Sequence, residues 1–428
     1  MSAGERGFIF DDWMKGMPAS APALSSCDIA RLKLNLLRED LSLPCAILKE
    51  SALRANEAWM GRFARDAGVL LCPHGKTTMS PELFARQLAA GAWGITAATP
   101  HQLKVMRRFG VPRVLYANQL IGRQAIEYVV SELERDPGFD FYCLVDSVDA
   151  VNLLGAAAAN STRPIKVLLE MGQRGGRTGV RTCQDGLGVA AAIAGQRGLQ
   201  LAGVEAYEFI VSARDEDERD RNMARMFADF AELTHELDRR AWFGSPQIVL
   251  TAGGSGAFDL AAQAITSLRL SRPVIPVIRS GCYLTQDHGW LPGYFDRMRE
   301  RSSVVAGVAG RPADAMEIWG YVQSRPEPEL VLATIGKRDV SHDIHLPRPT
   351  LWFRPGIHGH PQPIAEGTTI QALNDQHAYV RVTPQAPLRV GDMIAVGMSH
   401  PCTTFDKWRS MFIVDDDYTV IDAISTWF

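Results

Sequence analysis

The first two thirds of the chain alternate short apolar runs with longer segments of helical periodicity. In the longer segments, such as 51–66 and 215–239, apolar residues recur every three or four positions, which predicts amphipathic helices. Nine runs between them are typical of strands: AIL (46–48), VLLC (69–72), GITAA (94–98), VLYA (114–117), FYCLV (141–145), KVLLEM (166–171), AGVEAYEF (202–209), IVLTAG (248–253) and PVIRSGCYL (276–284). This alternation predicts parallel βαβ units and an α/β fold, the (β/α)8 TIM barrel. Because nine runs compete for eight positions, one is expected outside the barrel or at its entrance.

The pattern changes near residue 285, where helical periodicity fades. Short strand-like runs follow between clusters of Pro, Gly and Asp: SVVAGV (303–308), MEIWGYVQS (316–324), ELVLATIG (329–336), TIQALN (369–374), AYVRV (378–382), DMIAVGM (392–398), MFIVDD (411–416) and YTVIDAIS (418–425). They predict a C-terminal all-β domain. The expected division is an N-terminal segment (1–42) packing on the β-domain, a barrel (43–284) and the β-domain (285–428).

Composition narrows the class of protein. The chain has 428 residues and a net charge of only −3, without the basic runs that bind nucleic acid or membrane surfaces. No apolar run approaches the roughly 18 residues of a membrane span, and the apolar piece at 7–10 is too short for a signal peptide. The seven cysteines form no CxxC pair, which is typical of reduced thiols. These features predict a cytoplasmic enzyme.

Candidate chemistry lies where the predicted barrel strands end. Lys76 follows VLLC, and a lysine partly desolvated at a strand end can form a Schiff base, although a surface lysine is the commoner explanation. The turn Gly253-Gly254-Ser255-Gly256 precedes a helix and suits a phosphate. Arg174 and Arg177 follow KVLLEM, and Tyr207 follows GVEA. Pyridoxal phosphate (PLP) is a cofactor that suits this set of groups at one end of the barrel: a lysine, a phosphate turn, an arginine and an aromatic ring.

Several motifs together resemble one known family. They are LPCAIL (43–48), PHGKTT (73–78), YANQ (116–119), RTGV (177–180), EAYE (205–208), GGSG (253–256), SGCYL (280–284), NDQHAYV (374–380) and SHPCTT (399–404). The chain is similar to the D-serine dehydratase/D-threonine aldolase family of PLP enzymes with the alanine-racemase-like fold. The resemblance implies VLLCPHGK as the first barrel strand, with AIL leading in from outside. It also implies a homodimer in which the β-domain of one subunit closes the site of the other.

The resemblance also implies residue roles. Lys76 resembles the catalytic Schiff-base lysine, and Arg177 the arginine near the pyridoxal hydroxyl, with Arg174 as the open alternative. The residues implied to bind the cofactor are Lys76, Arg177, Tyr207, Gly254, Ser255, Gly256 and Tyr283. The stretch 345–363 and residues 1–42 have no counterpart in it.

A metal pair is indicated by Ser399-His400-Pro401-Cys402. On an extended segment the side chains of His400 and Cys402 point to the same side and can bind one ion. A buried cysteine beside a turn histidine is the plainer interpretation of an isolated HxC. In the family that the chain resembles, dehydratase-type members carry HxC and aldolase-type members HxD, and the soft thiolate favours Zn²⁺.

The predicted function is PLP-dependent, zinc-assisted β-elimination from a D-3-hydroxyamino acid, such as D-serine or D-3-hydroxyaspartate, to a 2-oxo acid and ammonia. The alternatives are a metal-dependent aldolase that releases glycine and an aldehyde, and a non-catalytic PLP-binding protein. The roles of His74, His377 and Asp287 stay open, and the pair His358 and His360 is expected on a surface loop.

Overall fold

The structure is a computed structural model that describes residues 8–19, 21–208 and 213–428. Residues 1–7 of the predicted N-terminal segment and Phe209, the last residue of the run AGVEAYEF, lie outside these ranges.

Eight parallel strands form the predicted barrel. The strand β1 (Cys45–Lys49) is not among them; the barrel strands are β2 (Leu70–Leu71), β3 (Ile95–Ala97), β4 (Arg113–Gln119), β5 (Asp140–Val145), β6 (Ile165–Met171), β7 (Leu199–Ala206), β8 (Ile248–Ala252) and β9 (Val274–Ile278). Their order is β2-β9-β8-β7-β6-β5-β4-β3. A parallel bridge between His74 and Thr96 brings the two ends of this order together, and Thr96 Oγ1 donates to the carbonyl of Cys72 at 2.6 Å. The barrel prediction is therefore confirmed.

Helices surround the barrel strands. They are α2 (Glu50–Asp66), α3 (Pro81–Ala89), α4 (Pro100–Arg108), α5 (Arg123–Arg135), α6 (Val148–Ala158), α7 (Cys183–Ala194), α8 (Glu216–Arg239) and α9 (Phe258–Ser267). The helix α1 (Ser26–Leu32) precedes the barrel and packs on the last strand of the C-terminal part (Val420–Ser425) instead. The starts of α3 and α4 are fixed locally, because Ser80 and Thr99 each accept a backbone N–H in the first turn and a proline follows. Within the described ranges, no helix combines the length and apolar character needed to cross a bilayer.

The barrel interior is filled by side chains from the strands. The buried interior residues are Cys72, Leu115, Tyr142, Leu144, Leu168, Ala202, Val249 and Val277. A packed interior of this kind leaves ligands no room except at the strand ends.

The C-terminal part is built on a second sheet. Its strands are β10 (Met316–Glu327), β11 (Leu330–Ala333), β12 (Arg348–Phe353), β13 (Gln362–Pro363), β14 (Thr369–Leu373), β15 (Ala378–Arg381), β16 (Met393–Gly397), β17 (Ser410–Val414) and β18 (Val420–Ser425). The strand β1 joins this sheet, antiparallel to β10 and parallel to β17. The run AIL is thus the one that lies outside the barrel. The strands β12 and β13 lie within the stretch 345–363 that the family motifs leave unplaced.

Three helices occupy the region predicted to be all-β. They are α10 (Leu291–Arg301), α11 (Ser303–Gly307) and, later in the chain, the short helix α12 (Cys402–Phe405). The predicted strand SVVAGV is therefore wrong. Ser302 Oγ accepts the amide of Val305 and caps the helix, and Val305 is fully buried. Capping and tertiary burial outweigh the strand preference of the Val-Val pair.

The N-terminal segment covers the C-terminal sheet. Buried side chains along it, including Phe10, Met17 and Ile29, share a hydrophobic cluster with Trp319 and Phe412 of the sheet. The domain limits at 42/43 and 284/285 stay a prediction.

Candidate active site

A cavity of about 270 Å³ opens at the carboxyl ends of the barrel strands. The barrel contributes Lys76, Arg177 and Tyr207 to its lining, and the C-terminal part contributes His400 and Cys402. Residues predicted from separate motifs therefore meet in one site between barrel and sheet, where TIM-barrel enzymes place their reacting groups.

Lys76 lies in a tight 3-10 turn, Gly75–Thr77, directly after β2. A Cβ on Gly75 would lie 2.4 Å from the Met106 methyl and 2.8 Å from Ile95 Cγ2, so glycine is needed to seat this turn against the barrel. The Lys76 side chain is exposed and faces the cavity. The partial desolvation expected for Lys76 stays a prediction.

His74 lies beside Lys76 on the same cavity wall. Among the described residues, no group forms a hydrogen bond with its buried Nδ1. Burial, followed by the positive charge of Lys76, holds the pKa of His74 well below its usual value. The neutral ring lines the cavity, while its Nδ1 is covered by the surrounding protein.

Arg177 and Tyr207 form a second wall. The Arg177 guanidinium lies 5.1 Å from the centre of the Tyr207 ring, a cation–π contact that orients both groups. Burial raises the pKa of Tyr207 to about 12. Arg174 is exposed and is not part of the cavity lining, so the structure places Arg177, not Arg174, at the site.

The glycine turn after β8 is partly occupied from within the protein. Glu208 accepts the amide of Gly253 at 3.0 Å and that of Gly254 at 2.6 Å. These two N–H groups are therefore not free for a phosphate. The amides at the start of α9 remain, since its N-cap residue, Ala257, provides no side-chain cap. Ser255 lines the cavity, while Gly256 is not part of its lining.

A buried ion pair beneath the cavity was missed by the sequence analysis. Arg279, just after β9, donates to Glu205 at the end of β7 and, at 2.7 Å, to Thr251 Oγ1 of β8. Both Arg279 and Glu205 line the cavity. Burial raises the pKa of Glu205 to about 8, against the opposing effect of Arg279. The available signal was a charged residue following an apolar strand in both PVIRSG and AGVEAY.

Tyr283 and Asp287 face the site differently from expectation. Tyr283 does not line the main cavity; its hydroxyl receives a hydrogen bond from Gln87 Nε2 at 3.3 Å, next to a small adjoining cavity that also touches Ser255. Asp287 lies at the edge of the main cavity, but one of its oxygens accepts the amides of Gly289 and Trp290. Its carboxylate therefore has a structural task as a helix cap.

The remaining histidines singled out in the sequence lie elsewhere. His377 precedes β15 and is not part of the cavity lining. His358 and His360 line a separate surface depression with Asn35 and Arg38.

The HPC motif adopts a different backbone from the one predicted. Pro401 has α-helical angles, φ −57° and ψ −40°, and Cys402 begins α12, so the extended segment is wrong. The two side chains nevertheless meet. Hydrogen bonding to Cys402, with Asp343 in addition, raises the pKa of His400 to about 9. A hydrogen bond from Cys282, followed by one from His400, holds the pKa of Cys402 well below its usual value.

The donor chemistry fits a metal ion. His400 Nδ1 lies 2.5 Å from Asp343 Oδ2, an arrangement that fixes the ring and leaves Nε2 to face a metal ion. Cys402 Sγ lies 3.3 Å from Thr77 Oγ1, which places the thiol beside the turn of Lys76. In the described ranges, no three His, Cys, Asp or Glu side chains are already grouped as a metal centre. The site therefore offers two protein donors with a supporting carboxylate.

The cavity also fits PLP. Lys76, Arg177 and Arg279 give it a cationic lining that suits a phosphate and a phenolate. A Cβ on Gly254 would lie 2.9 Å from the Tyr207 ring, so glycine keeps this wall open. The start of α9 has no side-chain cap and offers backbone amides for the phosphate, so the residues present fit such a group.

Two family models match the chain. "Alanine racemase, N-terminal domain" matches residues 48–273, and "Putative serine dehydratase domain" matches residues 315–414.

Curated relatives agree with these matches. The chain is 27% identical to a D-threonine aldolase of Arthrobacter sp. over 94% of each chain. It is 27% identical to a 3-hydroxy-D-aspartate aldolase of Paracoccus denitrificans, over 72% of this chain and 75% of that one. It is 31% identical to a D-threo-3-hydroxyaspartate dehydratase of Delftia sp. over 33% of this chain and 36% of that one.

Solved structures show the same fold. The D-threonine aldolase of Filomicrobium marinum superposes with a TM-score of 0.75 at 23% identity, covering 92% of this chain and 97% of that one. The Delftia dehydratase superposes with a TM-score of 0.70 at 20% identity, covering 92% and 99%.

Fold, cavity and relatives together define the class of this protein: it is a PLP-dependent lyase. The chain belongs to the alanine racemase N-terminal domain family, and a serine dehydratase-type domain follows the barrel. The predicted family resemblance, the fold class and the enzyme class are confirmed.

Proposed function

We propose that this lyase catalyses zinc-assisted β-elimination from a D-3-hydroxyamino acid, such as D-serine or D-3-hydroxyaspartate, to a 2-oxo acid and ammonia. The observation that carries the proposal is the position of His400 and Cys402, which share the cavity of Lys76, with Cys402 against its turn. The amine of Lys76 suits removal of a proton from the α-carbon of the substrate. The metal-binding pair in the same cavity suits removal of the hydroxyl from the neighbouring β-carbon.

The assignment of roles follows from position. PLP, when bound, supplies an electron sink for the carbon that loses its proton. Lys76 Nζ is the base that takes the Cα proton, because it is the lysine amine that lines the cavity. Arg177 and Tyr207 hold the ring of the cofactor, and Ser255 with the start of α9 holds its phosphate.

His400 and Cys402 would hold the zinc, which would supply a Lewis acid for the β-hydroxyl of the substrate. Asp343 accepts a hydrogen bond from the N–H at His400 Nδ1 and so orients the ring. A thiolate donor favours zinc over magnesium or manganese.

Retro-aldol cleavage is the second candidate, and a specific observation favours it. The relative that covers 94% of this chain is a D-threonine aldolase. The HxC spacing supports elimination instead: solved structures of the Delftia dehydratase include a histidine variant and a metal-free cysteine variant, two positions apart.

Product analysis separates the two reactions. Incubation of the holoenzyme with D-serine, D-threonine and D-3-hydroxyaspartate should give a 2-oxo acid and ammonia in equal amounts. If glycine and an aldehyde were the only products, the enzyme would be an aldolase and the proposed elimination would be refuted. If the protein bound PLP but turned over none of these substrates, it would be a non-catalytic PLP-binding protein.

Removal of the metal tests the role of zinc. Chelation should abolish elimination while the absorption of bound PLP persists, because Lys76 and the start of α9 do not depend on the ion. His400→Ala and Cys402→Ala should both lose zinc, whereas Cys183→Ala, a partly exposed thiol on α7, should keep it. Full activity in metal-free enzyme would refute the zinc assignment.

A homodimer in the cytoplasm completes the proposal. Ile344 is 40% exposed at the cavity wall, and the neighbouring Leu346 is 38% exposed. An exposed apolar side chain at the site, with a second beside it in the chain, is what a second subunit would cover. Light scattering should give twice the chain mass, and Ile344→Asp should shift it toward the monomer.

A further inference from the structure

A second thiol adjoins the proposed metal pair. Cys282 begins the 3-10 turn Cys282–Leu284 after β9 and lines the same cavity as Cys402. The two sulfur atoms lie 3.7 Å apart, although the residues are 120 positions apart in the chain. Cys282 thus reaches the site from the barrel, and Cys402 from the C-terminal part.

The position of Cys282 is fixed by close packing. A Cβ on Gly281 would lie 2.7 Å from Thr77 Oγ1 and 2.8 Å from the carbonyl oxygen of His74. Only glycine lets the Cys282 turn pack against the turn that carries Lys76. Cys282 Sγ then lies 4.0 Å from Thr77 Oγ1, the hydroxyl that Cys402 also contacts.

The separation of the sulfur atoms matches a shared ion. Zinc–sulfur bonds of about 2.3 Å at a tetrahedral angle place two thiolates about 3.8 Å apart. A disulfide requires about 2.05 Å, so the two sulfurs are closer to the spacing of shared ligands than to that of a covalent pair.

We propose that Cys282 is the second thiolate ligand of the ion held by His400 and Cys402. The inference rests on the zinc site of the proposed function and adds a ligand to it. The sulfurs already have ligand spacing, and the His400 side chain is within hydrogen-bonding reach of Cys402. Two thiolates and one imidazole leave the fourth tetrahedral position for the substrate hydroxyl, as a catalytic zinc site requires.

Two consequences follow for the site. Two sulfur donors strengthen the preference for Zn²⁺ over Mn²⁺ and Mg²⁺ beyond that of one thiolate. The ion also joins the barrel to the C-terminal part across the cavity, so zinc binding should raise the melting temperature of the full chain.

X-ray absorption at the zinc edge of the full-length holoenzyme tests the proposal. Wild type should show two sulfur neighbours for one zinc per chain, and Cys282→Ser should show one. The zinc affinity of Cys282→Ser should fall by at least about tenfold. Cys183→Ser is the matched control and should equal wild type in both measurements. Retained PLP absorption in Cys282→Ser would show that the variant folds.

The outcomes separate this inference from the proposed function. If wild type showed one sulfur neighbour and Cys282→Ser bound zinc with unchanged affinity, Cys282 would not be a zinc ligand. His400 and Cys402 would keep their proposed role. A disulfide between Cys282 and Cys402 in the zinc-loaded enzyme, seen by peptide mass analysis, would also overturn the inference. Absence of stoichiometric zinc in wild type would refute both.

Discussion

At the scale of single residues, the site depends on small side chains that allow large ones to approach. Gly75, Gly254 and Gly281 have no room for a Cβ, because Met106, Tyr207 and Thr77 respectively lie within 3 Å of its position. These close contacts fix the positions of the cavity walls and of the Lys76 turn relative to each other. The position of Lys76 is therefore a property of its neighbours as much as of the lysine.

Lys76→Ala should lower the turnover rate more than about a thousandfold, since the loss of general-base catalysis alone can cost that much. The same variant should lose the visible absorption of bound PLP. Lys104→Ala, on α4 and outside the cavity lining, is the control and should keep both. A bound cofactor that borohydride still traps in Lys76→Ala would move the assignment to another lysine.

Arg177→Ala should weaken PLP retention or shift its absorption, because the guanidinium lies against the Tyr207 ring at the cavity. Arg174→Ala should leave both unchanged, as its side chain is exposed outside the lining. PLP titration followed by absorption compares the two variants. If only Arg174→Ala weakened PLP binding, Arg174 and not Arg177 would be the arginine that contacts the cofactor.

At the scale of elements, the barrel and the C-terminal sheet are joined by a half-buried carboxyl. Glu82, in the first turn of α3, accepts the Ser425 hydroxyl of β18 at 2.9 Å and the Ser80 hydroxyl at 2.8 Å. Burial raises the pKa of Glu82 above its ordinary value, against the opposing hydrogen bonds from Ser80 and Ser425. The folded protein therefore holds this proton more tightly than the unfolded chain does.

The raised pKa of Glu82 makes the stability of the folded protein depend on pH in a definite direction. With the folded pKa above the unfolded one, stability falls as the pH rises from the unfolded pKa to the folded pKa, where the folded state binds more protons. Glu82→Gln keeps an acceptor without the charge, so it should remove this part of the pH dependence and leave the neutral-pH form at least as stable. Denaturant unfolding across the acidic range measures it, with the exposed Glu127→Gln as control. A steeper loss with rising pH in Glu82→Gln would contradict the account.

At the scale of the whole molecule, the N-terminal segment is part of the C-terminal core. Ile29 of α1 is fully buried in the cluster that contains Trp319, whereas Leu32 on the same helix is 51% exposed. The strand β1 lies in the same sheet, so the chain passes through the C-terminal core before it enters the barrel.

Ile29→Ala should lower the free energy of unfolding by about 2–5 kcal/mol, the usual cost of emptying a packed core position. Leu32→Ala should change it by no more than about 0.5 kcal/mol. PLP absorption should persist in both, because the helix α1 packs on β18 and not on the cavity. An equal effect of the two substitutions would mean that the segment is not part of the core.

The family motifs and the strand–helix alternation determined much of this protein in advance. The barrel strands, the position of Lys76 after the first of them and the capped starts of α3 and α4 follow from patterns a few residues long. Such patterns are visible in a sequence because the period of apolar residues and the chemistry of a cap are local.

Only the tertiary structure decided which distant residues meet. The pair Arg279–Glu205 and the sulfur pair Cys282–Cys402 join residues 74 and 120 positions apart. The strand β1 pairs with β10 and β17, and Val305 is buried in a helix where its sequence predicted a strand. The physical reason is common to all of these: a contact across the chain depends on the path of everything between its partners, and burial there outweighs local preference.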